Sequence, residues 1–323
     1  MASSVTDLEL RHLTEESLDD MIEVLAKARA NNPHDRRLTR DEAREYTYLD
    51  PEFDPKGSWL ALLNGKPIGF CSVLIMRNRI DAGMNDAYLD VDIIPEHRGK
   101  GAEQMLLEKG LSYIRSRGVG KALSRSLADD RWAQAFLASN SFKEDYRIHT
   151  LCRSGRERIE DVDLPEGFRL ESKAFANLTD EETMAVLDVL NDSFQDHMNF
   201  APEMPERFIN FRNCSEDPKA IAFALKDDVP VGFCLSEESA GFNQEKGTKV
   251  GWVDLIGVRP SFRRVGLGKA LLADGVNWIL SMGMDKVYLG AYAVNEKALD
   301  LYRSFGFSKE RESIWYSRVV EKL

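Results

Sequence analysis

Apolar and polar positions in the second half of the chain follow two periods in turn. Residues 180–197 carry Met184, Leu187, Val189, Leu190 and Phe194 near helical spacing. Residues 266–282 set Leu267, Leu271, Leu272, Val276 and Ile279 on one broad face, so both stretches predict helices buried along one side. Between them, residues 220–225 and 229–235 are short apolar runs around Lys226-Asp227-Asp228, with Pro230 near the start of the second, which predicts a hairpin. Residues 168–172 predict a short strand before the first helix, and 250–258 a strand that passes abruptly into the long helix. Residues 287–293 follow as a strand, 295–305 as a short helix, and the chain from Phe307 returns as a strand ending in Ile314-Trp315-Tyr316-Ser317-Arg318-Val319-Val320. The order is strand, helices, three strands, long helix, strand, short helix and final strand, a mixed α/β layered unit.

The first half repeats this order. Pro67-Ile68-Gly69-Phe70-Cys71 recurs 163 residues later as Pro230-Val231-Gly232-Phe233-Cys234. Ile93-Ile94-Pro95-Glu96-His97-Arg98-Gly99-Lys100-Gly101 matches Val258-Arg259-Pro260-Ser261-Phe262-Arg263-Arg264-Val265-Gly266 at a spacing of 165, and Ser141-Phe142 matches Gly306-Phe307 at that same spacing. A register kept from the Gly-rich turn to the last helix marks an internal duplication. The polar segment 153–167, with Ser154-Gly155 and Leu164-Pro165-Glu166-Gly167, has no apolar period and predicts the join. The expected domains are 1–153 and 154–323, which agrees with a length of 323 residues.

Composition narrows the class. Hydrophobic residues at 43% and charged residues at 30% are the balance of a soluble globular protein. No apolar run approaches the roughly 18 residues of a membrane span, and the opening Met1-Ala2-Ser3-Ser4-Val5-Thr6-Asp7 lacks the basic and apolar regions of a secretion signal. Cys71, Cys152, Cys214 and Cys234 form no Cys-x-x-Cys pair, which predicts a reducing cytoplasm and no metal site. A formal net charge of −11 argues against a nucleic-acid partner and for a cationic acceptor, a small molecule or a peptide amine.

The candidate chemistry starts at Arg263-Arg264-Val265-Gly266-Leu267-Gly268-Lys269, between a predicted strand and a predicted helix. Free N–H groups and the positive dipole end of a helix N-terminus favour phosphate oxygens, and glycine lets the backbone approach them. Arg263, Arg264 and Lys269 add charge-assisted contacts. Such a turn is also compatible with a simple helix start carrying solvated cations. A P-loop is excluded because Gly-Lys is not followed by Ser or Thr, and a dinucleotide fingerprint because no glycine stands two positions before Gly266.

Val258-Arg259-Pro260 followed by Arg263-x-x-Gly266-x-Gly268 resembles the acetyl-CoA loop of the GNAT superfamily of N-acyltransferases. Asn295, Ala298, Leu299, Tyr302 and Gly306-Phe307 are similar to that family's second signature. The resemblance covers nearly all of residues 168–320, and one strong copy beside one weak copy is similar to the mycothiol synthase group. It implies two tandem GNAT-like domains, each with a mainly antiparallel sheet, a splayed parallel strand pair and flanking helices. It implies acetyl-CoA as cosubstrate, held by Arg263, Arg264, Val265, Gly266, Leu267, Gly268 and Lys269, with Ile256 and Val258 pairing its pantetheine arm through their backbone. Asn295 would cap the helix carrying Tyr302 and touch the same arm.

The implied reaction is attack of a neutral amine on the acetyl thioester, which needs a proton acceptor for the ammonium and a donor for the thiolate. Tyr302 stands where the family keeps a general acid. Asp254, placed by period two on the same face as Ile256, is the first candidate for the base; two residues earlier, where relatives also carry an acid, stands Trp252. Asp196, His197 and Glu203 are alternatives for lining the acceptor pocket. In the first copy Gly268 becomes Glu103, Tyr302 becomes Leu137 and Asn295 becomes Asp130, so that copy is expected to be non-catalytic. A non-catalytic acyl-CoA sensor or scaffold is the alternative function, and Tyr302 discriminates, because a sensor needs no acid.

Overall fold

The structure, a computed structural model, describes residues 8–160, 162–214 and 217–321; residues 1–7 and the Cys214 side chain, both read above, lie outside the described residues. The chain forms two compact units that interleave in sequence: residues 8–126, 130–145 and 315–321 make the first, and residues 127–129 and 146–314 the second.

The elements of the first half are β1 (Leu8–His12), α1 (Leu18–Ala28), α2 (Arg40–Glu45), β2 (Ser58–Leu63), β3 (Lys66–Leu74), α3 (Arg77–Asp81), β4 (Asp86–Ile93), α4 (Ala102–Ser116), β5 (Lys121–Leu127), α5 (Arg131–Ser139) and β6 (Lys143–Ser154). Those of the second are β7 (Phe168–Ala174), α6 (Asp180–Phe194), α7 (Pro205–Cys214), β8 (Lys219–Lys226), β9 (Val229–Glu238), α8 (Ala240–Lys246), β10 (Val250–Val258), α9 (Leu267–Ser281), β11 (Lys286–Tyr292), α10 (Glu296–Ser304) and β12 (Ser308–Val319). From α4 onward every element begins and ends 165 residues before its counterpart, so the sequence repeat is a repeat of structure.

In the first unit β1 to β4 pair antiparallel in order, and β4 pairs parallel with β5 only from Asp86 to Tyr88. In the second, β7 to β10 pair antiparallel, and β10 pairs parallel with β11 only from Val250 to Val253. Each unit is therefore a mixed α/β layer with a mainly antiparallel sheet and one parallel pair that splays, as expected.

The second sheet is buried on both faces. On β8, Ala222 and Ala224 face the cluster of α9 and α10, while Ile221, Phe223 and Leu225 face the cluster of α6 and α7. A strand buried on both sides shows a continuous apolar run instead of alternation. The small residues lie on the α9 face because that helix approaches closely: a Cβ at Gly275 would stand 2.6 Å from Cys234 Sγ and 2.6 Å from Ser236 Oγ. Gly275→Ala is therefore expected to destabilise the protein by about 1–3 kcal/mol, read as a lower midpoint in urea, because well-packed neighbours must shift.

Two helices gave no sequence signal. α7 has one buried anchor, Phe208, against Phe175, and α8 has no buried residue; neither sustains a period. The helix expected to reach residue 197 stops at Phe194, and Asn199 turns the chain with a φ of 61°. Among the described residues no helix is long and apolar enough to cross a membrane.

Candidate active site

The site is built on β10. Its register with β9 slips between Val253 and Leu255, a β-bulge centred on Asp254. An extra residue resets the alternation of faces. Val253 and Ile256 join the α9 cluster, whereas Leu255 packs with the α6 cluster and Asp254 reaches Lys219, which precedes Ile221 of that same α6 face by two residues. Strict alternation put Asp254 on the face of Ile256; the bulge corrects this and places them on opposite faces.

Beyond Val253 the two parallel strands part. β11 continues along β6 through Gly290, Ala291 and Tyr292, while β10 continues along β9 through Ile256 and Val258. The edge of β10 that faces the gap is thus free of strand pairing over Leu255 to Val258. The Val258 carbonyl accepts from Arg263 Nε at 3.0 Å.

The loop after β10 ends in Gly266, whose φ of 98° lies in the left-handed region and starts α9. Arg264 also has a positive φ, 67°, where the first unit has Gly99 at 74°. A side chain in that region costs about 1–2 kcal/mol, so the loop is held against local strain. At Gly268 a Cβ would meet only Leu301, at 3.9 Å, which leaves the space over the helix N-terminus open. Arg264, Val265 and Lys269 are exposed, whereas the Leu267 side chain is core, so only its backbone faces the turn. Arg263 is turned back onto α6: Nη1 donates to Asp196 Oδ2 at 3.1 Å and Nη2 to the Ser193 carbonyl at 2.6 Å. Its guanidinium staples the loop to α6.

Tyr302 lies on α10, 8% exposed, within the α9 cluster and with its ring edge-on to Phe307. Burial, with a smaller contribution from Cys234, pushes its hydroxyl up to about 12. Among the described residues no hydrogen-bonding partner holds that hydroxyl. Asn295 caps the helix, its Oδ1 accepting from Ala298 N–H at 3.3 Å.

On the other face, burial pushes the Asp254 carboxyl up to about 6, against the opposing pull of Lys219, although 27% of the side chain still meets solvent. Lys219 Nζ stands 3.7 Å from Asp254 Oδ2, is itself 6% exposed, and is also paired to Glu237. Burial lowers its own affinity for the proton. Neither Lys219 nor Glu237 was singled out from the sequence, because their meeting depends on strand register; a lysine just before an all-apolar run was the available signal.

The three acceptor-face alternatives separate. Asp196 is paired to Arg263. Glu203 accepts from Met204 N–H at 3.0 Å, just before α7. His197 is half-buried between Phe194 and Tyr292, with ring centroids 4.6 and 6.0 Å away, and burial together with Arg263 depresses its basicity.

In the first unit Gly101 repeats Gly266, with a φ of 97°. The carboxylate of Glu103 fills the turn: Oε1 accepts from Gly99 N–H at 2.8 Å, and Oε2 is buried without a partner. Arg98 stacks over Trp132, 4.3 Å from the ring centre.

The description "Acetyltransferase (GNAT) family" matches residues 20–142 and again 183–307. The chain is 32% identical over 275 residues to a mycothiol acetyltransferase of Thermobispora bispora, covering 80% of this chain and 87% of that protein. It is 28% identical over 151 residues to the ribosomal protein bS18 alanine N-acetyltransferase of Escherichia coli, covering 47% of this chain and 78% of that protein. Among solved structures, a tandem GNAT protein from the clavulanic acid biosynthesis pathway superimposes with a TM-score of 0.78 at 14% identity, covering 98% of this chain and 100% of that one. A GCN5-related N-acetyltransferase of Sphaerobacter thermophilus gives 0.72 at 17% identity, over 98% and 97%.

Proposed function

Because the chain belongs to the acetyltransferase (GNAT) family and is an acyltransferase, we propose that it moves an acetyl group from acetyl-CoA to a primary amine by direct attack, with catalysis in the second unit. The observation that carries this reading is the gap between β10 and β11, with Tyr302 on one side of β10 and Asp254 on the other.

Acetyl-CoA supplies an activated acetyl thioester. The open turn at Gly266, Leu267 and Gly268 fits its pyrophosphate, since the first N–H groups of a helix have no intrahelical acceptor and a Cβ at Gly268 would meet only Leu301. Arg264, Val265 and Lys269 flank that turn, and Arg263 fixes it to α6. The unpaired edge of β10 at Ile256 and Val258 offers backbone groups to the pantetheine arm, and Asn295, the cap of α10, is assigned to touch the same arm. Asp254 takes one proton from the acceptor ammonium and later yields it to solvent. Tyr302 stabilises the departing sulfur through a hydrogen bond and relays to it the second proton that the acceptor nitrogen sheds as the amide forms, so the tyrosine ends the turnover as it began.

The first unit is non-catalytic in this reading. Its turn is filled by Glu103, and Leu137 and Asp130 stand where Tyr302 and Asn295 would be needed. The acceptor is an amine on a small molecule or a peptide, the two kinds of substrate that the names of the relatives describe. A cytoplasmic setting fits the free, buried thiols of Cys71, Cys152 and Cys234.

The test is release of free thiol from acetyl-CoA against a panel of primary amines. At least one amine is expected to accelerate release well above the rate with water alone. Tight acetyl-CoA binding with no amine-dependent release across the panel would instead favour a sensor.

A further inference from the structure

The face of β10 that carries Asp254 holds a second carboxylate. In the ladder, Lys219 of β8 is directly opposite Glu237 of β9, and Glu237 is directly opposite Trp252 of β10. Residues directly opposite in an antiparallel pair share a face. Trp252 and Asp254 are two apart, so Lys219, Glu237, Trp252 and Asp254 form one patch across three strands. Within it a nearly buried ammonium sits between two carboxylates, paired to Glu237 and 3.7 Å from Asp254. Its Nζ also stands over the Phe211 ring, 5.3 Å from the ring centre. Lys219 also lines a cavity of about 470 Å³ with Lys173, Phe175, Arg212, Asp217 and Trp278.

Resting on the acetyltransferase reading, we propose that Lys219 is a positioning residue that holds Asp254 and Glu237 as one proton-accepting unit on the acceptor face of β10. Three observations support it. First, a buried lysine is costly unless paired and hydrogen-bonded, and breaking such a pair by removing one partner leaves an uncompensated charge, so the three groups act together. Second, the bulge between Val253 and Leu255 leaves Asp254 on the face of Trp252 and Glu237 while Ile256, two residues on, goes to the α9 face. Third, the patch lies beside the gap where β10 leaves β11, on the side away from Tyr302, so acid and base do not compete for one proton.

The step balances simply. The acceptor N–H bond breaks with its electrons left on nitrogen, the proton goes to an Asp254 oxygen, and Lys219 stays an ammonium throughout. Asp254 then carries no charge, and Lys219 remains neutralised by Glu237. The proton leaves Asp254 for solvent before the next turnover. The charged groups facing Asp254 are Lys219 from β8, Glu237 from β9 through that lysine, and Asp217 from the segment before β8.

The test reads Asp254 directly in the full chain, without any acceptor. Aspartate carboxyl carbons are labelled with carbon-13 and titrated by NMR, and the resonance lost in Asp254→Asn assigns the residue. The wild-type midpoint is expected near pH 6. Lys219→Met is expected to raise it by about one unit or more, since a nearby cation favours the carboxylate, and Lys219→Arg to bring it back. Glu237→Gln is expected to move it the opposite way, downward, because Lys219 then answers to Asp254 alone. Midpoints unchanged in folded Lys219→Met and Glu237→Gln proteins overturn the proposal, and if Lys219→Met does not fold, the Glu237→Gln direction decides it. A protein whose midpoints shift as stated but which releases no thiol with any amine keeps the coupled unit and loses the acetyltransferase reading, so the two failures are distinct.

Discussion

Gly268→Glu is expected to weaken acetyl-CoA binding by the second unit about 100-fold or more, read as the dissociation constant by titration calorimetry. The first unit already displays the outcome of that change. There the residue at the matching position, Glu103, folds its carboxylate back to the Gly99 N–H at 2.8 Å and is 7% exposed. The two turns share a frame closely enough for the comparison, with Gly101 at φ 97° and ψ −14° and Gly266 at φ 98° and ψ −9°. A glutamate at 268 would therefore occupy the amide donors and set a negative charge against the phosphates. Losing two hydrogen bonds to a charged group, at about 1.5–3 kcal/mol each, exceeds the 2.8 kcal/mol or so that a hundredfold change requires. In the reciprocal variant, Glu103→Gly, the first turn opens and a buried carboxylate oxygen without a partner disappears. That variant is expected to bind coenzyme A at the first unit more tightly than the parent does. Undiminished binding in Gly268→Glu would show that the pyrophosphate lies elsewhere.

What the sequence made legible was set by spacing. The 165-residue register pairs α4, β5, α5 and β6 with α9, β11, α10 and β12, because helix lengths and the Gly-rich turn survive divergence in residue type. Asn295 as a helix cap and Val250–Val258 as a strand followed from local chemistry alone and are found so. The face of Asp254 did not follow. A bulge inserts one residue without altering composition or hydrophobicity, so period-two counting runs straight through it and assigns the wrong side. Lys219 and Glu237 were invisible for a related reason: they meet Asp254 through strand register between distant segments. Arg263 shows a third limit. Its place in the turn suggested a hand for phosphate, but the Ser193 carbonyl on α6 and Asp196 just past that helix claim its donors, which only the packing of that segment decides.

Tyr302→Phe is expected to lower kcat by about 100-fold while leaving the KM for acetyl-CoA near its wild-type value, because in the proposed reaction the lost group acts on the departing sulfur and not on the bound ground state. The fold should survive the change: phenylalanine keeps the ring that packs in the α9 cluster and against Phe307. The pH profile separates the two proton carriers. Burial holds the Tyr302 hydroxyl up to about 12, so the phenol stays protonated and able to donate at every pH where the protein would be assayed. It contributes no basic limb in the ordinary range. Asp254, pushed up to about 6, has to lose its proton to serve as the proposed base, so kcat/KM is expected to rise as pH increases through about 6 and then level. A thiol with a solution pKa of about 8.5 leaves as a thiolate without help only at a cost, and a tyrosine that is the weaker acid can still stabilise it through a hydrogen bond that tightens as charge develops. Tyr302→Phe should therefore keep the acid limb of the wild type and lose height at every pH, whereas Asp254→Asn should lose the limb itself. A phenylalanine variant with wild-type turnover would remove Tyr302 from the reaction and leave the Asp254 limb to be explained without it.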